Sequence, residues 1–346
     1  MLTVVLTRPG LLEVVEQPDP PPPGEGEVLV AVRRVGICGT DYHAYRGAQN
    51  FVAYPCVLGH ELAVEVLEVG PAVDDLVVGQ WCAVLPYLSC GRCRACLRGR
   101  TNCCEVLRVL GVTEAGGLSE RMVLPASHLI PGPGLTLDQL VLVETLGIGW
   151  HAVSRGQPRP DDSVLVLGAG PVGLAVAQAV RRTGARVLVA DISSERARLA
   201  AATGVDTVVA DDGFEEVLRE RHGGGLPELV FDASGSRTSM EAAFEMVGSC
   251  GTLVLVGHTT ASVTFRNPGF HARELDLRAS RNATREDWAQ VIVAIGDGTL
   301  DALPWVNHRT TLPALVEELP RLAADPGPVV KAVVEIGPTS AGTDQY

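Results

Sequence analysis

Residues 164–173, Val164-Leu165-Val166-Leu167-Gly168-Ala169-Gly170-Pro171-Val172-Gly173, limit the fold of this 346-residue chain more than any other stretch. A short apolar run reads as a buried strand, and glycines spaced G-x-G-x-x-G then turn the chain tightly into a helix. Such a turn gathers free backbone N–H groups at the positive end of the helix dipole, where a phosphate group binds. A lone G-x-G-x-x-G is weak evidence. Here the next apolar strand, Val187 to Ala190, ends in Asp191, about 20 residues on, where a carboxylate accepts hydrogen bonds from ribose hydroxyls. Gly168, Gly170, Pro171, Val172, Gly173 and Asp191 therefore predict a dinucleotide site. Asp191 repels a 2′-phosphate and so favours NAD over NADP, while the neighbouring cation Arg196 pulls the other way.

From Ser163 to Asn282 apolar strands alternate with Ala-rich helices, which predicts a doubly wound parallel sheet. The helices run over Val172 to Arg182 and Ser194 to Ala202, and further strands over Leu229-Asp232 and Leu253-Val256. Before it, strand signals at Val4–Leu6, Val28–Val32, Leu62–Val69 and Val77–Val84 recur between Gly, Pro and Asp clusters, as in a β-rich domain. The proline run Pro18–Pro23 reads as an extended surface turn. The carboxy-terminal part, with a helix at Trp288–Ile295 and a strand at Lys331–Ile336, has too few elements for a domain of its own. The expected division is 1–147 completed by 283–346, with 148–282 between.

Composition excludes several functions. A net charge of −13 argues against nucleic acid and anionic membrane surfaces as partners. The longest uncharged run, Val164 to Val180, stops short of the roughly 18–20 residues of a membrane span and is broken by glycine and proline. Met1 to Pro9 has no signal-peptide pattern, so the expected location is cytoplasmic. Nine cysteines in such a chain point to metal ligands more than to disulfides.

Four of those cysteines have metal spacing. Cys90, Cys93, Cys96 and Cys104 stand as C-x2-C-x2-C-x7-C, and four thiolates so close can close a tetrahedron around a structural zinc with no position left for substrate. Cys103 has the wrong offset. A second constellation joins Cys38-Gly39-Thr40-Asp41-Tyr42-His43 to Gly59-His60-Glu61 and, far downstream, Glu144. Thiolate, imidazole and carboxylate together suit a catalytic zinc, which keeps a position open for water or substrate. Thr40 can take the proton of a zinc-bound alcohol and pass it to a histidine such as His43.

These motifs, in this order, resemble the zinc-dependent medium-chain dehydrogenase/reductase family across nearly the whole chain. The resemblance implies an α/β fold: a GroES-like β-rich catalytic domain plus a Rossmann doubly wound parallel-sheet domain. It also implies one catalytic zinc on Cys38, His60 and Glu144, with Glu61 able to enter the metal sphere, and one structural zinc on the four-cysteine loop. Asp41 would accept from the second ring nitrogen of His60, Thr40 and His43 would relay the proton, Lys331 would lie near the pyrophosphate, and Ser280-Arg281-Asn282 beside the nicotinamide. Primary-alcohol members carry cysteine at the Glu144 position, whereas the branch resembling sorbitol and threonine dehydrogenases carries glutamate. The implied activity is hydride transfer between NAD and a secondary alcohol, a polyol, sugar or sugar acid, by a homodimer or homotetramer joined along the Rossmann sheet edge. Tyr42, Arg46 and Arg281-Asn282 resemble members acting on sugar acids and polyols. Val64, where the family has glycine, and Gly79-Gln80-Trp81-Cys82, where it has Gly-Asp-Arg-Val, depart from the pattern without touching a ligand. A primary-alcohol or aldehyde-adduct dehydrogenase is the alternative enzyme, and a non-catalytic nucleotide-binding relative the alternative of another class.

Overall fold

The computed structural model of the chain describes residues 1–337. It divides into two compact units, one of Met1–Glu144 with the described chain from Thr284 onward, the other of Thr145–Ala283.

The first unit is built on a seven-stranded sheet. Its spine is the strand Glu27–Ile37, antiparallel to Glu61–Val69, Arg121–Pro125 and Lys331–Glu335; Trp81–Val84 and Leu129–Pro131 extend one side, and Val306–Thr311 pairs in parallel with Lys331–Glu335 on the other. The β-branched residues Val30, Val32, Val64, Val66 and Val334 are fully buried, because a pleated strand sends alternate side chains into the core. The carboxy-terminal segment thus contributes two strands to this sheet, including one over Val306–Thr311 for which the sequence reading had no signal. Val77 and Val78 are the reverse case: they belong to no strand and are exposed. Val77 N–H donates to the Gln80 side chain, Gln80 N–H to the Val77 carbonyl, and Gly79 has a positive φ, so a tight turn holds residues 77–80 and the strand begins only at Trp81.

The helix Leu137–Gly156 starts in this unit. Thr136 Oγ1 accepts from Gln139 N–H while Gln139 Oε1 accepts from Thr136 N–H, a reciprocal cap that fixes its first turn. Asp138 on that turn is gripped by Arg34 Nε at 3.0 Å and by Arg309 at 2.5 Å. Burial alone would push the Asp138 carboxyl up, but Arg309 and then Arg34 hold it below its ordinary value. The ion pairs tie the helix start to the sheet and set where Glu144, two turns on, emerges.

The second unit is a six-stranded parallel sheet in the order Asp206–Val209, Arg186–Asp191, Ser163–Leu167, Leu229–Asp232, Thr252–Leu255, Asp276–Ala279. Every residue of Ser163–Leu167 is buried, as befits a central parallel strand. The strand order reverses beside it, and in such sheets ligands bind outside the carboxyl ends at that reversal.

Candidate metal and nucleotide sites

The first site grows out of a turn only glycine can make. Gly59 has φ +94°, and a Cβ on it would lie 2.7 Å from Val35 Cγ1, so a side chain there is both strained and obstructed. The turn delivers His60 and Glu61 to the head of the strand Glu61–Val69. Gly36 on the neighbouring strand pairs in register with Glu61, and a Cβ on it would collide with Glu61 Oε2. The missing side chain is the cradle in which the Glu61 carboxylate lies. Cys38 follows Ile37 at the end of that same strand, just ahead of the short helix Gly39–Tyr45.

Ligand atoms of Cys38, His60 and Glu61 come within 4.8 Å of one another. His60, Glu61, Asp41, Glu144 and Lys331 are all buried. Lys331 Nζ donates to both Glu61 oxygens at 2.6 Å. Burial opposes the charge on Lys331, yet Glu61 and the other acids hold its ammonium above the usual lysine value. This differs from the expected place of Lys331 at a pyrophosphate: strand pairing of Ala332 with Ile37 sets the lysine into the acidic cluster, where its side chain is 1% exposed.

Asp41 also differs from expectation. Its Oδ1 lies 3.8 Å from His60 Nδ1, beyond hydrogen-bond distance, and its oxygens accept instead from the backbone N–H of Cys38 at 2.8 Å and of Gly59 at 3.4 Å. Asp41 therefore pins the two turns that carry Cys38 and His60. Glu144 stands outside the three-residue cluster, and its Oε1 accepts from the Tyr87 hydroxyl. Burial pushes the Asp41 and Glu144 carboxyls up, and pushes the Tyr87 phenol well above its ordinary value so that it stays a donor. Thr40 Oγ1 is 3.8 Å from Cys38 Sγ, and His43, three residues further along the helix, is exposed.

A metal fits this donor set. Three buried carboxylates and a thiol lie with one lysine and one histidine, an excess of acid that a cation would balance. One sulfur, one nitrogen and carboxylate oxygens are the mixture zinc accepts.

The four-cysteine loop forms the second donor cluster. Cys90, Cys93, Cys96 and Cys104 bring their sulfurs within 4.8 Å of one another, with Cys103 outside the group. Backbone N–H of Cys93 points at Cys90 Sγ and that of Cys90 at Cys104 Sγ. Donors of this kind, from Cys96 and Glu105, lower the Cys93 thiol to about 6, whereas burial raises that of Cys96 to about 11. A sulfur already inclined to the thiolate is prepared to bind metal. The two-stranded pairing of Tyr87–Leu88 with Arg108–Val109 closes the base of the loop.

In the second unit, Gly168 has φ +98° and packs against Ser234, and a Cβ on Gly173 would collide with the Gly168 carbonyl. Gly170 caps the helix Pro171–Arg182, whose first residue is the proline. Asp191 at the end of its strand accepts from Ala169 N–H at 2.7 Å and from Ser193 N–H at 2.8 Å, one on each oxygen. Its carboxylate is thereby fixed beside the glycine turn with lone pairs to spare. A Cβ on Gly170 would lie 3.4 Å from the Arg196 guanidinium, which therefore reaches over the turn.

Residues 24–134 match the alcohol dehydrogenase GroES-like domain, and residues 171–296 the zinc-binding dehydrogenase domain. The chain belongs to the zinc-binding alcohol dehydrogenase family. Over 324 residues it is 39% identical to L-galactonate-5-dehydrogenase of Escherichia coli K12, covering 93% of this chain and 95% of that protein. It is 30% identical over 317 residues to 2-dehydro-3-deoxy-L-galactonate 5-dehydrogenase of Pseudoalteromonas atlantica, covering 90% and 92%. Among solved structures, a short chain alcohol dehydrogenase from E. coli CFT073 complexed with NADH matches with a TM-score of 0.91 at 30% identity, over 97% of this chain and 99% of that one. The family match makes this chain a zinc-dependent oxidoreductase with a GroES-like and a Rossmann-type part.

Proposed function

We propose that this dehydrogenase oxidises a secondary hydroxyl of a sugar acid or polyol and passes the hydride to NAD. The observation that carries the reading is the Cys38–His60–Glu61 cluster, its His60 and Glu61 buried and electrostatically coupled to buried Glu144, a donor set with one thiolate. A zinc ion held there supplies Lewis acidity, withdrawing charge from the substrate oxygen. Carboxylate in place of a second thiolate makes a harder centre, suited to a substrate that offers a neighbouring hydroxyl as well as the reacting one. Two relatives named as galactonate 5-dehydrogenases support the sugar-acid class.

The chain's own groups have separable roles. Cys38, His60 and Glu144 bind the metal, and Glu61, balanced by Lys331, stands close enough to exchange with them. Thr40 Oγ1 receives the alcohol proton, and exposed His43 passes it to solvent. The Gly168–Gly173 turn binds the pyrophosphate and Asp191 takes the ribose hydroxyls, with Arg196 as a cation over the phosphates. Arg46, exposed at the end of the Gly39–Tyr45 helix, offers a fork for a substrate carboxylate. A homodimer or homotetramer is supported by the edge strand Asp276–Ala279, whose outer side pairs with no other strand among the described residues and where Leu277 is 43% exposed. A reducing compartment, the cytoplasm, suits the nine free cysteines.

Steady-state kinetics on a panel of aldonic acids, polyols and simple alcohols, with NAD and NADP, tests this. At least one sugar acid should surpass ethanol in kcat/KM by about a hundredfold, since a site built to bond hydroxyls penalises their absence, and NAD should be the better cofactor. A higher kcat/KM for ethanol or another short primary alcohol than for every polyol and sugar acid sinks the substrate reading.

A further inference from the structure

Tyr87 is a buried side chain that joins the two donor clusters. It lies three residues before Cys90, in the short strand whose pairing with Arg108–Val109 closes the four-cysteine loop, and Leu110 N–H to the Pro86 carbonyl extends that pairing by one bond. Its ring is 6% exposed and its hydroxyl donates to Glu144 Oε1, 57 residues away in sequence. Glu144 hangs from a helix that is fixed at its first turn by the Thr136–Gln139 cap and by Asp138, but its own carboxylate has no arginine or lysine bonded to it among the described residues. His60 and Lys331 act on it through charge, and the Tyr87 hydroxyl supplies the directional bond that fixes its two torsions beyond Cβ.

We propose that Tyr87 is a positioning residue for Glu144: its hydroxyl holds one carboxylate oxygen so that the other is presented to the metal shared with Cys38 and His60. The inference rests on Glu144 being a ligand of that metal. It assigns the four-cysteine loop a task besides its own stability, because the base of that loop is what aims Tyr87. A ligating carboxylate oriented by a buried donor loses little rotational freedom on binding, and removing such an outer partner weakens metal binding by about 10- to 100-fold.

The test is the rate at which zinc leaves each site to an excess of chelator, followed on purified protein loaded with two zinc ions per chain, for the unmodified protein, Tyr87→Phe and Glu144→Ala. Tyr87→Phe deletes one oxygen and keeps the ring in its packing, so the thermal midpoint and the slow release from the four-cysteine loop should be unchanged. Release from the Cys38 site should be about 10- to 100-fold faster. With cobalt in that site, the visible bands of Tyr87→Phe should move toward those of Glu144→Ala. Wild-type release and an unshifted cobalt spectrum in Tyr87→Phe, with Glu144→Ala fast, overturn the role of Tyr87 and leave Glu144 a ligand. Wild-type release in Glu144→Ala overturns the ligand assignment and the inference together.

Discussion

His60→Ala will reduce turnover by at least about a thousandfold while leaving secondary structure and thermal midpoint nearly unchanged. His60 is buried, and what it supplies is a ring nitrogen within 4.8 Å of the Cys38 and Glu61 ligand atoms. Its Nδ1 lies 3.8 Å from Asp41 Oδ1. Losing one of three protein ligands empties the site or displaces its ion. Several kcal/mol of stabilisation of the developing charge go with it, and about 4 kcal/mol corresponds to roughly three decades of rate. Kinetics alongside metal analysis checks this: the expected variant holds one zinc per chain, retains NAD binding, and is inactive. A variant that keeps more than about a tenth of the wild-type kcat would remove His60 from the site.

The second large effect is on the other cluster. Cys96→Ser should strip the four-cysteine loop of its ion, and structural zinc of this kind contributes on the order of 10 kcal/mol to the folding of the segment that binds it. Apolar packing and regular structure in the loop are sparse. Leu97 and Val106 are largely exposed, and its regular structure is a helix of four residues and a short 3-10 turn. The expected variant is cleaved by proteases between residues 89 and 107 and loses solubility, whereas the seven-stranded sheet, whose core residues lie elsewhere, survives. Equal protease resistance of Cys96→Ser and wild type, with no second zinc in either, contradicts the assignment. Because Tyr87 stands at the base of this loop, zinc release from the Cys38 site should also quicken in Cys96→Ser.

What the sequence revealed and what it hid follow one physical division. The glycine turn at Gly168–Gly173 and the cysteines Cys90 to Cys104 are legible because local spacing alone dictates their geometry. Asp191 is legible for the same reason, one helix further on. The metal cluster needed a resemblance, since Cys38, His60 and Glu61 meet only through the pairing of distant strands, and Glu144 reaches their neighbourhood from a helix far along the chain. Gly36, Tyr87 and the true partner of Lys331 lay out of reach. Gly36 matters because register sets it against Glu61, and Lys331 because a strand 270 residues away in sequence from Glu61 joins the same sheet. A tyrosine three residues before a cysteine loop carries no signal of its own. Asp41 shows a subtler limit: the right residue was singled out, but its oxygens hold the backbone of Cys38 and Gly59 and stop short of the imidazole. Val77 and Val78 failed as strand residues because side-chain chemistry, Gln80 with Gly79, overrode a β-branched pair.

Hydride transfer from a secondary carbon is the central claim, and isotope tracking tests it most directly. A galactonate-type sugar acid carrying deuterium on the carbon of its reacting secondary hydroxyl is incubated with NAD and the zinc-loaded protein, and both products are read by NMR. The account predicts a ketone at that secondary carbon and one deuterium at C4 of the nicotinamide. Unlabelled NADH, or oxidation at a terminal primary carbon, would contradict it.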